Sequence, residues 1–244
     1  MSKVIVVTGG SRGLGAATAE LAALRGYDVC ITYRSEAHRA TAIADRIRAS
    51  GCRALTVQVD VGREDEVKQL FEHVDRELGP LAALVNNAGT SGAKGRVDAL
   101  TGDEIMGLLA TNVCGSLLCS REAILRMSNR YGGAGGAIVN LSSVAARLGG
   151  PGRNVHYAAS KGAINCMTVG LAREVAAEGI RVNAVIPGTI DTESQEPGRA
   201  AAIAPTIPML RPGQPDEVAR AILWLLSDEA SYVTGTLVEV TGGR

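Results

Sequence analysis

The chain has 244 residues, enough for one large domain whose core needs no stabilising metal or disulfide. Its 25 basic and 25 acidic residues give a formal net charge of zero, and only 3% of the residues are aromatic. This composition argues against a nucleic-acid partner, which would call for a basic excess and stacking surfaces.

Apolar runs alternate with helix-forming stretches along the whole chain. The apolar runs predict seven strands, at residues 4–7, 29–33, 54–59, 81–85, 137–141, 180–186 and 236–240. The intervening stretches predict helices at 15–25, 36–50, 64–78, 101–110, 111–131, 155–178 and 215–227. Strands and helices that alternate in this way form a parallel sheet with helices on both faces. The sequence therefore predicts a single doubly wound α/β domain over residues 1–244.

The N-terminus and the cysteines indicate the cellular compartment. Only four apolar residues follow Met1-Ser2-Lys3, too few for a signal-peptide core, and no apolar run approaches the length of a membrane span. The five cysteines include no CxxC pair, and an odd number cannot form a complete disulfide framework. We therefore expect small buried thiols, a cytoplasmic location and no membrane partner.

A proline-rich segment interrupts the regular pattern. Six of the eight prolines lie between residues 187 and 215, and they predict a loop over about residues 189–212. Long loops that follow the carboxyl ends of strands bind ligands in open α/β folds, so this is the candidate substrate loop. Its polar residues suit a polar substrate but would equally suit a solvated surface; they are Glu193, Gln195, Glu196 and Arg199.

A glycine-rich turn with the pattern TGxxxGxG follows the first predicted strand. Glycines at this position let the backbone approach a pyrophosphate, whose charge faces the N-terminus of the next helix. Many glycine turns are only tight connections, but a turn between a strand and an alanine-rich helix predicts nucleotide binding. The residues assigned to this site are Gly9, Ser11, Arg12, Gly13, Leu14 and Gly15.

The end of the second predicted strand bears on the choice of dinucleotide. NAD sites carry an acidic residue about 20 positions after the glycine turn, where it binds the ribose 2′-hydroxyl. This chain has Tyr33, Arg34 and Ser35 at that place. Arg34 and Arg12 could bind a 2′-phosphate, although two ordinary solvated arginines would give the same pattern. We predict NADP(H) as the preferred cofactor and keep NAD(H) as the alternative.

Further motifs follow the later strands in a fixed order. They are Asn86-Asn87-Ala88-Gly89, Asn112, Ser142-Ser143, Tyr157-Ala158-Ala159-Ser160-Lys161, Pro187-Gly188 and Gly242-Gly243. Together with the glycine turn, this series resembles the short-chain dehydrogenase/reductase family over nearly the whole chain. The resemblance implies a Rossmann fold and an NADP(H)-dependent oxidoreductase that interconverts a ketone or aldehyde with an alcohol by hydride transfer. A YxxxK motif alone would be weak evidence, because it is common by chance.

The resemblance assigns catalytic roles to four residues. Tyr157 is the general acid in reduction and the base in oxidation, and Lys161, one helical turn away, lowers the pKa of its phenol. Lys161 also binds the nicotinamide ribose. Ser143 holds the carbonyl oxygen, with Ser142 as the alternative, because neighbouring side chains in a strand point to opposite faces. Asn112 positions a water that connects Lys161 to solvent.

The resemblance also extends the predicted cofactor site beyond the glycine turn. Asp60 is matched to a residue that contacts the adenine, and Ile190 and Thr192 to residues that meet the nicotinamide amide. The added cofactor-binding residues are Asp60, Val61, Asn87, Ala88, Gly89, Tyr157, Lys161, Pro187, Gly188, Ile190 and Thr192. His38, His73 and His156 have no ligand-like spacing, so we expect no metal and interpret all three as surface or polar-fill residues.

The partners are less defined by the sequence. Six basic residues and one acid lie between Arg121 and Lys161, a bias that could dock an acidic acyl-carrier protein but also fits a solvated helix face. The chain resembles both 3-oxoacyl-carrier-protein reductases and glucose-dehydrogenase-like members, so both substrates stay open beside other small carbonyl compounds. A non-catalytic NADP-binding sensor is the alternative outside enzymes. The family analogy implies a homotetramer that uses the helices around 111–131 and 155–178.

Overall fold

The apolar runs of the sequence lie side by side as parallel strands in a computed structural model, which describes residues 2–193 and 198–244. The strands are β1 (Lys3–Val7), β2 (Tyr27–Tyr33), β3 (Ala54–Gln58), β4 (Leu81–Asn86), β5 (Gly136–Leu141), β6 (Ile180–Pro187) and β7 (Leu237–Val240). Within the described residues they form one seven-stranded sheet in the order β3-β2-β1-β4-β5-β6-β7. The predicted fold class, a doubly wound parallel sheet, is confirmed.

Helices cover both faces of this sheet. They are α1 (Gly13–Leu24), α2 (Ala37–Ala49), α3 (Glu64–Glu77), α4 (Gly102–Leu109), α5 (Gly115–Met127), α6 (Ala145–Leu148), α7 (Val155–Val175), α8 (Arg199–Ile203) and α9 (Pro215–Leu226). A π-helical turn, Ala110–Cys114, joins α4 to α5. The predicted helix at 111–131 is therefore too long at both ends, because its first residues are π-helical and Asn129–Tyr131 is a separate 3₁₀ turn.

The core has two layers, one on each face of the sheet. Successive strand residues alternate between them, so that Ile5 and Val7 face the layer formed by α1, α2 and α9. Val4 and Val6 face the layer formed by α3, α5 and α7. Because the central strands are buried on both faces, they are continuously apolar in sequence, which is why the period-2 alternation of a half-exposed strand is missing.

The strand order reverses at β1, which pairs with β2 on one side and β4 on the other. Val7, at the carboxyl end of β1, is aligned with Ile31 of β2 and Val85 of β4. The loops that follow these strands consequently leave the same edge of the sheet at a topological switch point. Ligands of open α/β sheets bind in the crevice at such a point.

The helical stretch Gly102–Met127 has the length and the mean hydropathy, 1.2, of a membrane-spanning helix, a feature that the sequence prediction missed. Its inner side belongs to the core, where Cys119, Ala123 and Met127 are fully buried. On its outer side Arg121 and Arg126 form ion pairs with carboxylates of α3. The stretch packs one side against the domain, and 44% of its most apolar part is buried.

The thiols differ in their exposure. Cys30 and Cys119 are buried, and burial raises the pKa of the Cys119 thiol to about 12. Cys52 is partly buried, whereas Cys114 and Cys166 are exposed. The expectation that all five cysteines are small buried residues is therefore wrong for Cys114 and Cys166.

Candidate active site

A cleft of about 740 Å³ lies at the carboxyl edge of the sheet, where the strand order reverses. Most of the predicted site residues line it: Gly9, Ser11, Arg12, Gly13, Leu14, Tyr33, Arg34, Ser35, Asp60, Val61, Asn87, Ala88, Gly89, Ser143, Tyr157, Pro187, Gly188, Ile190 and Thr192. Three other predicted site residues do not line the cleft but are buried: Gly15, Asn112 and Lys161. One cleft thus brings together loops that follow β1, β2, β4, β5 and β6.

Residues 8–15, which we call the phosphate turn, are held by the loop that follows β4. The Asn87 side-chain amide donates to the carbonyls of Thr8, at 2.8 Å, and Gly9, at 2.9 Å. The Thr8 hydroxyl accepts from the backbone amides of Asn87 and Ala88, at 3.0 and 2.9 Å. Asn87 therefore shapes the turn in addition to lining the cleft. Sequence analysis did not assign a role to Thr8.

Glycines are required in the phosphate turn by close backbone approach. Gly9 has a φ of +63°, and a Cβ at Gly15 would lie 2.4 Å from the Gly9 carbonyl oxygen. A Cβ at Gly13 would meet nothing nearer than Thr192, at 3.7 Å, so the space above the start of α1 is open. The Arg12 side chain does not cap the first amides of α1, and uncapped amides at the N-terminus of a helix suit a pyrophosphate.

The rim of the cleft that follows β2 carries positively and negatively charged side chains. Arg34 is largely exposed, with Nη2 3.5 Å from Oδ2 of Asp60, so its guanidinium is accessible from the cleft. Arg12 lines the same cleft. Positions 33–35 hold no acidic residue, yet Glu36, one position further, also lines the cleft. The sequence prediction did not include this carboxylate, because it lies beyond the place expected for an NAD-type acid.

The predicted catalytic hydroxyls meet at the start of α7. Ser143 forms a side-chain hydrogen bond with Tyr157. Lys161 lies one turn further along α7, with Nζ 5.8 Å from the centroid of the Tyr157 ring. The neighbouring Ser142 hydroxyl instead donates to the backbone carbonyl of Lys161, at 3.2 Å. Both serines line the cleft, but it is Ser143 that contacts the tyrosine.

Burial governs the titration of this group. It raises the pKa of Tyr157, and the hydrogen bond from Ser143 partly opposes that shift. It lowers the pKa of Lys161 to about 8, because the ammonium is fully buried. Lys161 Nζ donates to the backbone carbonyl of Leu141, at 2.6 Å. Lys161 was predicted to lower the pKa of the Tyr157 phenol. The shift of that pKa instead comes from burial and from the hydrogen bond with Ser143.

Asn112 lies in the π-helical turn and is buried. Its Oδ1 accepts from the Thr90 amide at 2.8 Å, and its Nδ2 donates to the Thr90 carbonyl at 2.9 Å and to Ser160 Oγ at 3.1 Å. A Cβ at Gly89 would lie 3.4 Å from Asn112 Oδ1 and 3.8 Å from Lys161 Nζ. Asn112 therefore ties the loop after β4 to α7 directly beneath the cleft; the water expected at Asn112 stays a prediction.

Ser142, the predicted alternative to Ser143, and Glu193 of the predicted substrate loop line the cleft, together with residues that sequence analysis did not assign: Thr32, Glu36, Val59, Thr90, Ser91 and Thr111. The Thr32 hydroxyl accepts from the Gly9 amide at 3.0 Å and so supports the phosphate turn. Most of these residues lie one or two positions away from a residue that sequence analysis assigned to the site. Gln195 and Glu196 of the predicted substrate loop lie outside the described residues, and so does the Arg199 side chain.

Outside the cleft, His156 is polar fill, one of the two interpretations predicted for it, and not a surface residue: it is 6% exposed, and neither ring nitrogen has a hydrogen-bond partner among the described residues. The basic residues between 121 and 161 do not form a free positive face. Lys161 is buried, and four of the five arginines form ion pairs, as Arg121–Glu64, Arg126–Asp75, Arg130–Glu178 and Arg147–Glu239.

Comparison with known proteins gives matches over the whole length of the chain. Residues 9–244 match the family model described as enoyl-(acyl carrier protein) reductase. The uncharacterized oxidoreductase YgfF of Escherichia coli strain K12 is 51% identical over 99% of both chains. Glucose 1-dehydrogenase 2 of Bacillus subtilis is 37% identical over 99% of this chain and 94% of the relative. The 3-oxoacyl-[acyl-carrier-protein] reductase FabG of Staphylococcus aureus is 35% identical over 100% and 98%.

Solved structures share the fold. A blue fluorescent protein from a metagenomic library, crystallised with NADPH, superposes with a TM-score of 0.92 at 35% identity, over 99% of this chain and 97% of its own. A short-chain dehydrogenase of Burkholderia cenocepacia J2315, crystallised with NADP, gives a TM-score of 0.91 at 37% identity over the same shares.

Proposed function

We propose that this chain, which belongs to the short-chain dehydrogenase/reductase family, is an NADP(H)-dependent oxidoreductase that interconverts a carbonyl compound and an alcohol. The observation that carries the proposal is the grouping of Ser143, Tyr157 and Lys161, of which Ser143 and Tyr157 are half-buried and Lys161 is buried. The two hydroxyls are hydrogen-bonded to each other at the cleft surface, and the ammonium lies behind the phenol ring.

The lining of the cleft fits a dinucleotide with a 2′-phosphate. The phosphate turn offers backbone amides at the start of α1, where no side chain would obstruct the pyrophosphate. Arg34 and Arg12 are the guanidinium groups at the adenosine end that would bind the 2′-phosphate. Two structural relatives were crystallised with NADPH and NADP, which supports the same choice.

The residues of the chain supply the proton chemistry. NADPH, when bound, supplies the hydride that reduces the carbonyl carbon. Tyr157 donates a proton to the carbonyl oxygen, and its raised pKa keeps the phenol protonated at neutral pH, as a general acid needs. Ser143 donates a hydrogen bond to the same oxygen and stabilises its developing charge. In the oxidative direction the phenolate form of Tyr157 accepts the proton from the alcohol and becomes the phenol again.

Small polar carbonyl compounds are the substrates that the site supports best. Hydroxyl groups of Thr90, Ser91 and Ser142 line the cleft around the Ser143–Tyr157 pair. A protein-borne substrate has less support, because four of the five arginines that would attract an acidic acyl-carrier protein are paired with carboxylates. Glucose oxidation and 3-oxoacyl reduction stay as specific candidates, since enzymes with those names are 37% and 35% identical to this chain.

A substrate panel tests this proposal. The purified chain is assayed with NADPH and NADH against short ketones, aldehydes, reducing sugars and a 3-oxoacyl thioester carried on acyl-carrier protein, with NADP⁺ and glucose for the reverse direction. We expect turnover with at least one small carbonyl compound and a preference for NADPH. Tight NADPH binding without turnover on any substrate class would instead favour the non-catalytic sensor.

A further inference from the structure

Two carboxylates that belong to none of the predicted motifs line the cofactor cleft. Glu36 directly follows Ser35, at the rim where Arg34 lies, and Glu193 directly follows Thr192 on the opposite loop. A Cβ at Gly13 would lie 3.7 Å from Thr192, so this loop passes close to the phosphate turn. Unpaired carboxylates at these places would repel a bound phosphate.

Both carboxylates are paired with one cation, Arg39 of α2. Its Nε lies 3.1 Å from Oε2 of Glu36, one helical turn earlier. Its Nη1 donates a hydrogen bond to Oε2 of Glu193, on the loop that follows β6. The other side chain paired with Glu36 among the described residues is the imidazole of His38, 4.0 Å away and largely exposed. Arg39 is therefore the main counter-charge of both acids.

We infer that Arg39 is a specificity-determining residue, which favours NADPH over NADH by neutralising Glu36 and Glu193. The inference rests on the proposed function. The two dinucleotides share their pyrophosphate, so repulsion at the phosphate turn cancels when their affinities are compared. The 2′-phosphate adds about 1.5 to 2 negative charges to NADPH alone. Any unpaired carboxylate at this rim consequently weakens NADPH more than NADH.

The test is a calorimetric titration of the full-length chain with NADPH and with NADH. In Arg39→Ala we expect the ratio of the two affinities to fall about tenfold, since each freed carboxylate acts through partly screened solvent. Arg46→Ala is the matched control, because Arg46 also lies on α2 and forms an ion pair, at 2.5 Å, with Glu20, which does not line the cleft. That variant should keep the wild-type ratio.

Charge removal distinguishes neutralisation from direct contact with the phosphate. In the Arg39→Ala background, Glu36→Gln together with Glu193→Gln should restore most of the wild-type ratio. With Arg39 intact, the same two substitutions should raise the ratio above the wild-type value. An unchanged ratio in Arg39→Ala, or no recovery in the triple variant, would overturn the inference while the NADPH preference of the wild type stands. A wild-type chain that bound neither nucleotide would remove the proposed function as well.

Discussion

At the scale of single residues, the buried ammonium of Lys161 has a thermodynamic consequence that is independent of catalysis. Burial lowers its pKa to about 8, whereas a lysine in an unfolded chain titrates near 10.4. Between these values the unfolded chain binds more protons than the folded chain, so stability rises with pH across this window. Below about pH 8 the folded chain bears the full cost of a buried charge.

Lys161→Met should therefore stabilise the cofactor-free protein at pH 7. The upper bound of the gain is roughly 3 kcal/mol, from about 1.4 kcal/mol per pKa unit, and it should shrink as the pH rises towards 10. Guanidinium denaturation at pH 7 and pH 10 measures both values. Lys68→Met, at an exposed lysine of α3, is the control and should change stability little. A Lys161→Met variant less stable than the wild type at pH 7 would refute this account of the buried charge.

Residue types at the site were largely predictable, but their contacts were not. The motif spacing identified Tyr157, Lys161 and Ser143, which the fold brings together. The hydrogen bonds that Asn87 donates to the phosphate turn could not be predicted, because they depend on the alignment of β1 with β4. The choice between surface and polar fill for His156 could not be made for a related reason: its burial depends on packing around Gly92 and Leu108, which are distant in sequence.

At the scale of elements, the phosphate turn depends on the close packing of α1 against its own preceding loop. Gly15→Ala would place a methyl group 2.4 Å from the Gly9 carbonyl oxygen and 2.5 Å from Asn87 Nδ2. We expect a loss of roughly 1–3 kcal/mol in stability and weaker NADPH binding, because the turn must shift. Denaturant titration and a nucleotide titration measure the two effects.

Gly107→Ala in α4 is the matched control for this substitution. A Cβ at Gly107 meets nothing within 4 Å, so alanine should act only through its higher helix propensity and stabilise by about 0.5–1 kcal/mol. If both variants were equally stable and bound NADPH equally well, close approach at Gly15 would not be the reason for its glycine.

Strand positions followed from buried apolar runs, and most helix ends differ from the prediction by one or two residues. The division of the 101–131 region was beyond the sequence pattern. The π-helical turn at Ala110–Cys114 contains no glycine or proline, so nothing in its sequence indicates a break in the helix. Its Asn112 is held by hydrogen bonds with Thr90 and Ser160, which are distant in sequence. The short helix α6 was missed because it has only four residues.

At the scale of the whole molecule, α5 and α7 expose apolar side chains that the single chain leaves uncovered. Leu117 and Leu125 of α5 are each 44% exposed, and Val155 of α7 is 40% exposed. The same helices are those through which the family analogy implies a homotetramer. The doubly wound fold itself was predictable from the order of elements, whereas the pairing of the surface arginines with acids of α3 was not.

Light scattering should give a mass four times that of the 25.2 kDa chain. Leu117→Glu should lower this mass, because a charge buried in an interface without a partner is strongly unfavourable. Exposed Tyr232, replaced as Tyr232→Phe, should leave it unchanged. A wild-type mass of one chain would contradict the expected assembly.

Turnover of NADPH by a Tyr157→Phe variant tests the central claim most directly. On whichever carbonyl substrate the wild type reduces, removal of the phenolic hydroxyl should lower kcat about a hundredfold to ten-thousandfold, while the Kd for NADPH stays near the wild-type value. Near-wild-type kcat in Tyr157→Phe would show that the proton comes from elsewhere and would contradict the assigned mechanism.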